Sequence, residues 1–328
     1  MSIEPEIRET LGKINVAASG RTLANLNLLR DIEVKPDKIK ISVAGAGLSA
    51  SSQQILRQDI SLCLKPLLNK QTLEIEYISV PLNELNHVKK VVAVMSGKGG
   101  VGKSLITGLC AVALNRQGYR VGILDADITG SSIPKMFGAN QHLAGNEEAI
   151  LPAQSRAGIS LVSTNLLLTN QDDAVIWRGP LISKMINQFW DDVLWGELDY
   201  MVVDLPPGTS DASLTVLQSL PISGILVVFT PQGLVEMVAR KAVSMAEKMG
   251  KPIIGLVENM AYLKVPELDK KIEVFGTGHG EELAKSIGVP FIGQMPLDPA
   301  LAALCDSGDI EKYQHPLLDE LEGAISRS

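Results

Sequence analysis

The sequence predicts an α/β protein: a mostly parallel sheet with helices on both faces, preceded by a small α/β domain. Three observations carry that reading. From Val91 onward, short apolar runs alternate with segments of helical spacing. Near-continuous apolar strands between helices mean a parallel sheet covered on both faces. A glycine-rich loop, Gly97-Lys98-Gly99-Gly100-Val101-Gly102-Lys103-Ser104, stands between the first of these runs and a helical segment. A polar stretch, Pro81 to Lys90, separates all this from residues 1–80 and reads as a linker.

In residues 1–80, Ile3, Ile7, Leu11 and Ile14 recur at helical spacing. Strands follow at Leu28 to Val34 and Lys38 to Val43, around Lys35-Pro36-Asp37, where proline presets φ for a turn. Leu56, Ile60, Cys63, Leu64 and Leu67 form the apolar face of a second helix, which makes Cys63 a core thiol. Leu73, Ile75 and Tyr77 alternate as a last strand. In residues 91–328 the apolar runs are Val91–Met95, Val121–Leu124, Ile159–Ser163, Met201–Val203, Gly224–Phe229, Ile253–Val257 and Phe291–Gly293.

The 328 residues suffice for two domains, and 45% hydrophobic content supports a sizeable core. A net charge of −7 argues against non-specific nucleic-acid binding and against an anionic membrane surface. No apolar run is long enough to span a bilayer, and the acidic start, Met1-Ser2-Ile3-Glu4-Pro5-Glu6, does not resemble a signal peptide. Cys63, Cys110 and Cys305 show no disulfide framework. A cytoplasmic protein is expected, with neither nucleic acid nor membrane among its partners.

Strand, glycine-rich loop and helix together are the context a P-loop requires. Gly97, Gly99, Gly100 and Gly102 let backbone N–H groups, that of Val101 among them, converge on phosphate oxygens without Cβ clashes at the glycines. The helix N-terminus adds positive partial charge there. Lys103 is placed to reach β- and γ-phosphates, and Ser104 to ligate Mg²⁺. Val121–Leu124 leads into Asp125-Ala126-Asp127, where Asp127 suits a water-positioning carboxylate and Asp125 a supporting one; a helix N-cap is the other reading. Met201-Val202-Val203-Asp204 is a hydrophobic strand ending in an acid, and Asp204 would hold Mg²⁺ through water. In the loop Leu205-Pro206-Pro207-Gly208, Gly208 can offer its N–H to a γ-phosphate. Asn259, after the strand at 253–257, can read an adenine edge or simply sit in a turn.

Larger motifs now bear on family. The loop at 97–104, Asp-Ala-Asp-Ile with Ser-Ile-Pro at 132–134, Ile-Trp-Arg-Gly-Pro at 176–180, Trp-Gly-Glu-Leu-Asp-Tyr at 195–200, Asp-Leu-Pro-Pro-Gly-Thr at 204–209, Glu-Asn-Met at 258–260 and Pro-Leu-Asp-Pro at 296–299 resemble the Mrp/ApbC family. These are MinD-like P-loop NTPases with a deviant Walker A loop, regarded as iron–sulfur cluster carriers. The resemblance runs from about residue 90 to 310, and residues 1–80 more weakly resemble the small domain in front of many Mrp proteins. It implies a homodimer that sandwiches two ATP molecules, with slow hydrolysis and cluster delivery to client apoproteins. It also implies that Lys98 reaches across the dimer to the partner's nucleotide.

Two departures accompany the resemblance. The family usually carries Cys-x-x-Cys a few residues after Glu-Asn-Met; by spacing, Val265 and Leu268 stand at those positions here, and neither can ligate iron. Leu105 replaces a threonine whose hydroxyl bonds an α-phosphate in related loops, so weaker nucleotide binding is expected. The expectation is therefore an ATP- and Mg²⁺-binding ATPase of iron–sulfur assembly without a self-held cluster. The alternative is an ATP-switched adaptor that binds a client independently of any cluster.

Overall fold

The computed structural model describes residues 3–17, 19–68, 71–128, 130–140, 142–167, 179–209, 211–265 and 270–328, without the side chains of 179–183, 233–236 and 264. The first unit contains helix α1 (Glu4–Gly12), a two-residue ribbon of β1 (Asn15–Val16) and β2 (Arg21–Thr22), and strands β3 (Leu29–Val34) and β4 (Lys38–Ala44). Helix α2 (Ala50–Leu64) and strand β5 (Thr72–Ile78) complete it. β3 pairs antiparallel with β4, and β4 pairs parallel with β5, α2 making the crossover. Ser49 caps α2 by accepting from the Ser52 N–H at 3.2 Å.

Leu56, Ile60 and Leu64 of α2 are buried against Ile7, Leu11, Ile39 and Ile41. Cys63 is not: its side chain is exposed, which corrects the expectation of a core thiol. The buried stripe is centred on Ile60, and Cys63 stands about 60° off that centre at 100° per residue. An i, i+7 relation to Leu56 was sufficient to include it in the pattern but not to bury it.

Residues 81–90, expected as a linker, are built into the fold. Helix α3 (Leu82–Leu85) buries Leu85 in the first unit's core. Strand β6 (His87–Ser96) starts four residues before the apolar run, with His87 in register with Glu197. The first core also takes in Ala149, Leu151 and Leu194 from beyond the P-loop. Arg21 reinforces this joint by donating to the carbonyls of Trp195 at 2.6 Å and Glu197 at 3.2 Å. Asn146 receives the Gly47 N–H at 2.9 Å and donates back to the Gly45 carbonyl at 3.1 Å.

The second unit adds α4 (Lys103–Arg116), β7 (Val121–Asp125), α5 (Ile133–Met136), β8 (Ala153–Gln154), β9 (Ser160–Val162), α6 (Gly179–Asp191), β10 (Glu197–Asp204) and α7 (Asp211–Ser219). Then come β11 (Gly224–Phe229), α8 (Gly233–Lys248), β12 (Ile253–Glu258), β13 (Leu263–Val265), β14 (Lys270–Ile272), α9 (Gly280–Ile287), β15 (Phe291–Gln294), α10 (Pro299–Ser307) and α11 (Leu317–Arg327). Eight strands form one sheet in the order β15-β12-β11-β6-β10-β7-β9-β8. All its pairings are parallel except that of β8 at the edge. Val92, Val94, Val202 and Val227 are buried in the middle of it, as strands covered by helices on both faces require. No described helix is long and apolar enough to cross a membrane.

The chain leaves β6 through α4 to β7, yet β10 lies between β6 and β7 in the sheet. That arrangement opens a crevice beyond the carboxyl ends of β6, β10 and β7, where ligands of open α/β sheets bind. Ser96, Asp204 and Asp125 end those strands.

Candidate functional site

The site starts with backbone geometry. Gly100 and Gly102 have φ of +81° and +80°, a region that side chains with a Cβ rarely enter. Gly97 serves another need, because a Cβ there would lie 2.2 Å from Val238 Cγ1 on α8. Gly99 continues the exposed turn. Gly102 is the N-cap of α4 and has no side chain to satisfy the first N–H groups. An uncapped N-terminus of a 14-residue helix leaves those donors and the helix dipole available to an anion.

Lys103, the first helical residue, is only 5% exposed. Its ammonium lies 2.7 Å from Asp204 Oδ1 and 3.3 Å from Asp127 Oδ2. Ser104 Oγ donates to Asp204 Oδ2 at 2.5 Å. Thr107, one turn further, donates to Asp204 Oδ1 at 2.7 Å and to the Lys103 carbonyl at 3.1 Å. Asp204 is fully buried and thus fixed at both oxygens by α4. Thr107 escaped sequence reading, although it sits three residues after Ser104 on the same helical face.

Asp125 supports Asp127 from behind. Its Oδ1 accepts the Asp127 N–H at 3.2 Å, and its Oδ2 accepts Ser131 Oγ at 2.6 Å. Burial, then the neighbouring Asp204 carboxylate, push the Asp125 carboxyl up to about 7. Three buried carboxylates thus face one ammonium, and the group furthest from Lys103 carries the cost of the excess charge. Asp127 is buried and faces Lys103 in the crevice.

Three residues expected to meet nucleotide have protein partners in the structure. The Gly208 N–H, assigned to a γ-phosphate, donates to the Ser96 carbonyl at 3.0 Å, so any phosphate contact requires that bond to break. Asn259, assigned to an adenine edge, is 1% exposed and donates Nδ2 to the Val101 carbonyl at 2.8 Å. Lys98 is exposed and donates to Gln232 Oε1 at 3.2 Å, at the start of α8. Leu105 packs half-buried against the core and offers no hydroxyl. Ser104 Oγ and Asp204 Oδ2 form the kind of oxygen pair that Mg²⁺ takes, so the residues present fit that ion.

Among the described residues, none of the side chains placed at the site above is a thiol. Val265 ends β13, paired with Lys270 of β14 in a hairpin that sequence reading did not foresee. Leu268 lies outside the described residues, as does most of the motif at 176–180. Burial pushes the Cys110 thiol up to about 12, and burial together with Asp306 pushes Cys305 to about 11. Iron is ligated by thiolate, which both environments disfavour.

Comparison with known proteins agrees with this geometry. A ParA-type family profile described as NUBPL iron-transfer P-loop NTPase matches residues 87–325. An iron-sulfur cluster carrier protein of Clostridium perfringens is 45% identical over 241 residues, covering 70% of this chain and 84% of the relative. A protein of the same description from Synechocystis is 36% identical over 301 residues, covering 88% and 85%. The solved structure of a nucleotide-binding protein from Archaeoglobus fulgidus in complex with ADP is 42% identical, covers 73% of this chain and 95% of that one, and superposes with a TM-score of 0.65. The chain has the fold of solved MinD structures, and it belongs to the NUBPL iron-transfer P-loop NTPase family that the Mrp/ApbC resemblance anticipates.

Proposed function

We propose that the chain is an ATP-hydrolysing homodimer that acts in iron–sulfur cluster assembly or transfer to client apoproteins, and holds no cluster with its own thiols. The observation that carries the ATPase half is Lys103 buried between Asp204 and Asp127 beside an uncapped helix N-terminus. The names of its relatives support the iron–sulfur half.

In this reading the P-loop N–H groups and Lys103 bind the triphosphate and offset its charge. Asp127 orients the attacking water and accepts its proton, while Asp125 and Ser131 hold Asp127 in place. Ser104 and Asp204 would hold Mg²⁺, which when bound adds charge stabilisation on the phosphate oxygens. Lys98, exposed at the rim, reaches the nucleotide of the second subunit. Exchange of Lys98 for alanine should therefore cut hydrolysis about 100-fold or more while changing ATP affinity far less. Equal losses, measured as turnover and as nucleotide titration, would count against the cross-subunit role.

Anaerobic incubation of the purified protein with iron and sulfide tests the other half. No cluster-specific absorbance near that of a [4Fe–4S] centre is expected. A brown product with four irons per pair of subunits would show that ligands other than Cys-x-x-Cys suffice. The adaptor reading gains one observation: α2 displays Ile55 (47% exposed) and Leu62 (68% exposed) one heptad apart on its outer face. A client captured equally by cluster-loaded and cluster-free preparations, and only with ATP, would favour it.

A further inference from the structure

A second cavity lies at the opposite edge of the sheet from the phosphate loop. It measures about 510 Å³ and is bounded by Val121 at the start of β7, Ser160 at the start of β9 and Leu198 near the start of β10. These strands run parallel, so their first residues stand a strand's length from Asp125 and Asp204. The outer wall comes from the first unit, through Gly20, Arg21 and Asn25. The cavity thus forms only where the two units meet, and it is separate from the crevice described above.

Arg21, Arg120 and Arg156 line it, and among the described residues no carboxylate does. Arg21 is 7% exposed, and its guanidinium meets only carbonyls: Nη1 donates to Trp195, Nη2 to Asn25 and Glu197. Those carbonyls take up hydrogen bonds but supply no counter-charge, and a buried charge is costly unless paired. Burial, then the Arg120 charge, lowers Arg21 to about 10, so it stays protonated at neutral pH. Arg120 places Nε and Nη2 on Asp199 at 3.2 Å each, whereas Nη1 lies 3.9 Å from Glu197 Oε2, too far for a hydrogen bond. Arg156 gives Nη1 to Asp309, and its Nε and Nη2 have no acceptor among the described residues. The acids behind these arginines are themselves shared, Asp199 with Lys89 at 2.8 Å and Asp309 with Lys312 at 3.1 Å. Glu311, also close by, is turned to Ser155 Oγ and to the Ala157 N–H. The side-chain amides of Asn25 and Asn115 face the same space and have no hydrogen-bond partner among the described residues.

We propose that this cavity binds a small organic anion carrying two or more clustered carboxylate or phosphate groups, held by Arg21, Arg120 and Arg156. The planar guanidinium fork matches both kinds of oxyanion. The volume is in the range of small-molecule sites and well above what a single inorganic ion fills. Arg21 comes from the first unit and the other two arginines from the second, so the bound anion ties the units together. The proposal is independent of the nucleotide reading above.

The test titrates citrate and pyrophosphate separately into the full-length protein and follows backbone amides by NMR. The amides of Gly20, Gly118 and Gly158, which line the cavity, should move together and saturate. A response to citrate alone assigns the site to polycarboxylates, and a response to pyrophosphate alone assigns it to phosphates. Gly100 and Gly102 report the phosphate loop separately, so movement there with none in the cavity would overturn the proposal while leaving the nucleotide reading intact. Arg21→Lys, which keeps the charge but loses the fork, and Arg120→Gln should each weaken binding about 10-fold or more. Arg156→Gln, at an exposed side chain, should weaken it about threefold. Lys89→Gln removes a cation of the same cluster that does not line the cavity, and should change affinity by less than about twofold. Equal losses in Lys89→Gln and Arg156→Gln, or cavity responses that never saturate, would mean an adventitious ion only and overturn the proposal. If Arg21→Lys fails to fold, Arg156→Gln beside Lys89→Gln decides.

Discussion

Exchange of Lys103 for alanine is expected to abolish measurable nucleotide hydrolysis, a loss of at least about 10²- to 10³-fold, and to destabilise the protein as well. Both effects have one origin. The ammonium lies within 3.3 Å of two carboxylates and is almost wholly buried. Without it, Asp125, Asp127 and Asp204 share a low-dielectric pocket with no cation, and breaking a buried pair costs about 3–5 kcal/mol. Asp125 can escape part of that cost by taking up a proton, its carboxyl already standing at about 7. A carboxyl whose folded pKa is raised above its unfolded value loses stability as pH rises from the unfolded value to the folded one. Lys103 holds the Asp125 carboxyl down, so its loss raises that carboxyl above about 7, and the variant should melt closest to wild type in acid and fall further behind as pH rises through and beyond 7. Lys103→Arg should regain some of that stability through its charge but not the activity, since the planar guanidinium cannot place a point charge between two phosphates. Thermal unfolding at a series of pH values, beside turnover, checks this. A gap that is as wide at pH 4 as at pH 8 would show that packing, not charge, is what Lys103 supplies.

Exchange of Asp127 for asparagine should separate binding from chemistry. The substitution preserves shape and removes the negative charge that faces Lys103 at 3.3 Å. A positioned group that accepts a proton in the transition state is worth about 10²- to 10⁴-fold. Turnover should fall by that factor while ATP affinity stays within about threefold of wild type, the pattern of an interaction made only in the transition state. The variant should also accumulate the ATP-bound form of the dimer, visible by size in solution. Affinity that drops as steeply as turnover would assign Asp127 to ground-state binding instead.

Much of this site could be read from the chain alone. Gly97 to Ser104 is contiguous, and strand, loop and helix around it are local patterns set by periodicity and by glycine's freedom at φ near +80°. The acids at 125, 127 and 204 were legible because apolar parallel strands deliver their final residues to one edge of the sheet. Cys63 shows the limit of the same method, since a wheel position decides which side chains share a face but not how wide the buried stripe is. The pairing of β13 with β14 was invisible because each strand is only three residues long and β14 is exposed throughout, so no alternation marks them.

What the sequence determined by itself, then, is the parallel α/β class, the phosphate loop and the identity of the acids around it, because each depends on neighbours joined covalently or one helical turn apart. What only the tertiary structure decided is which groups those residues meet. Ser104 and Thr107 hold Asp204 across about 100 positions of chain, and Asn259 reaches Val101 across 158. Such pairings depend on strand order and register, which loop connections of any length can satisfy. The same holds for residues 81–90, whose polar composition suggested a tether. His87 to Lys90 became sheet because the backbone of β10 lay alongside, and hydrogen bonds to a neighbouring strand are indifferent to whether the side chains above them are polar.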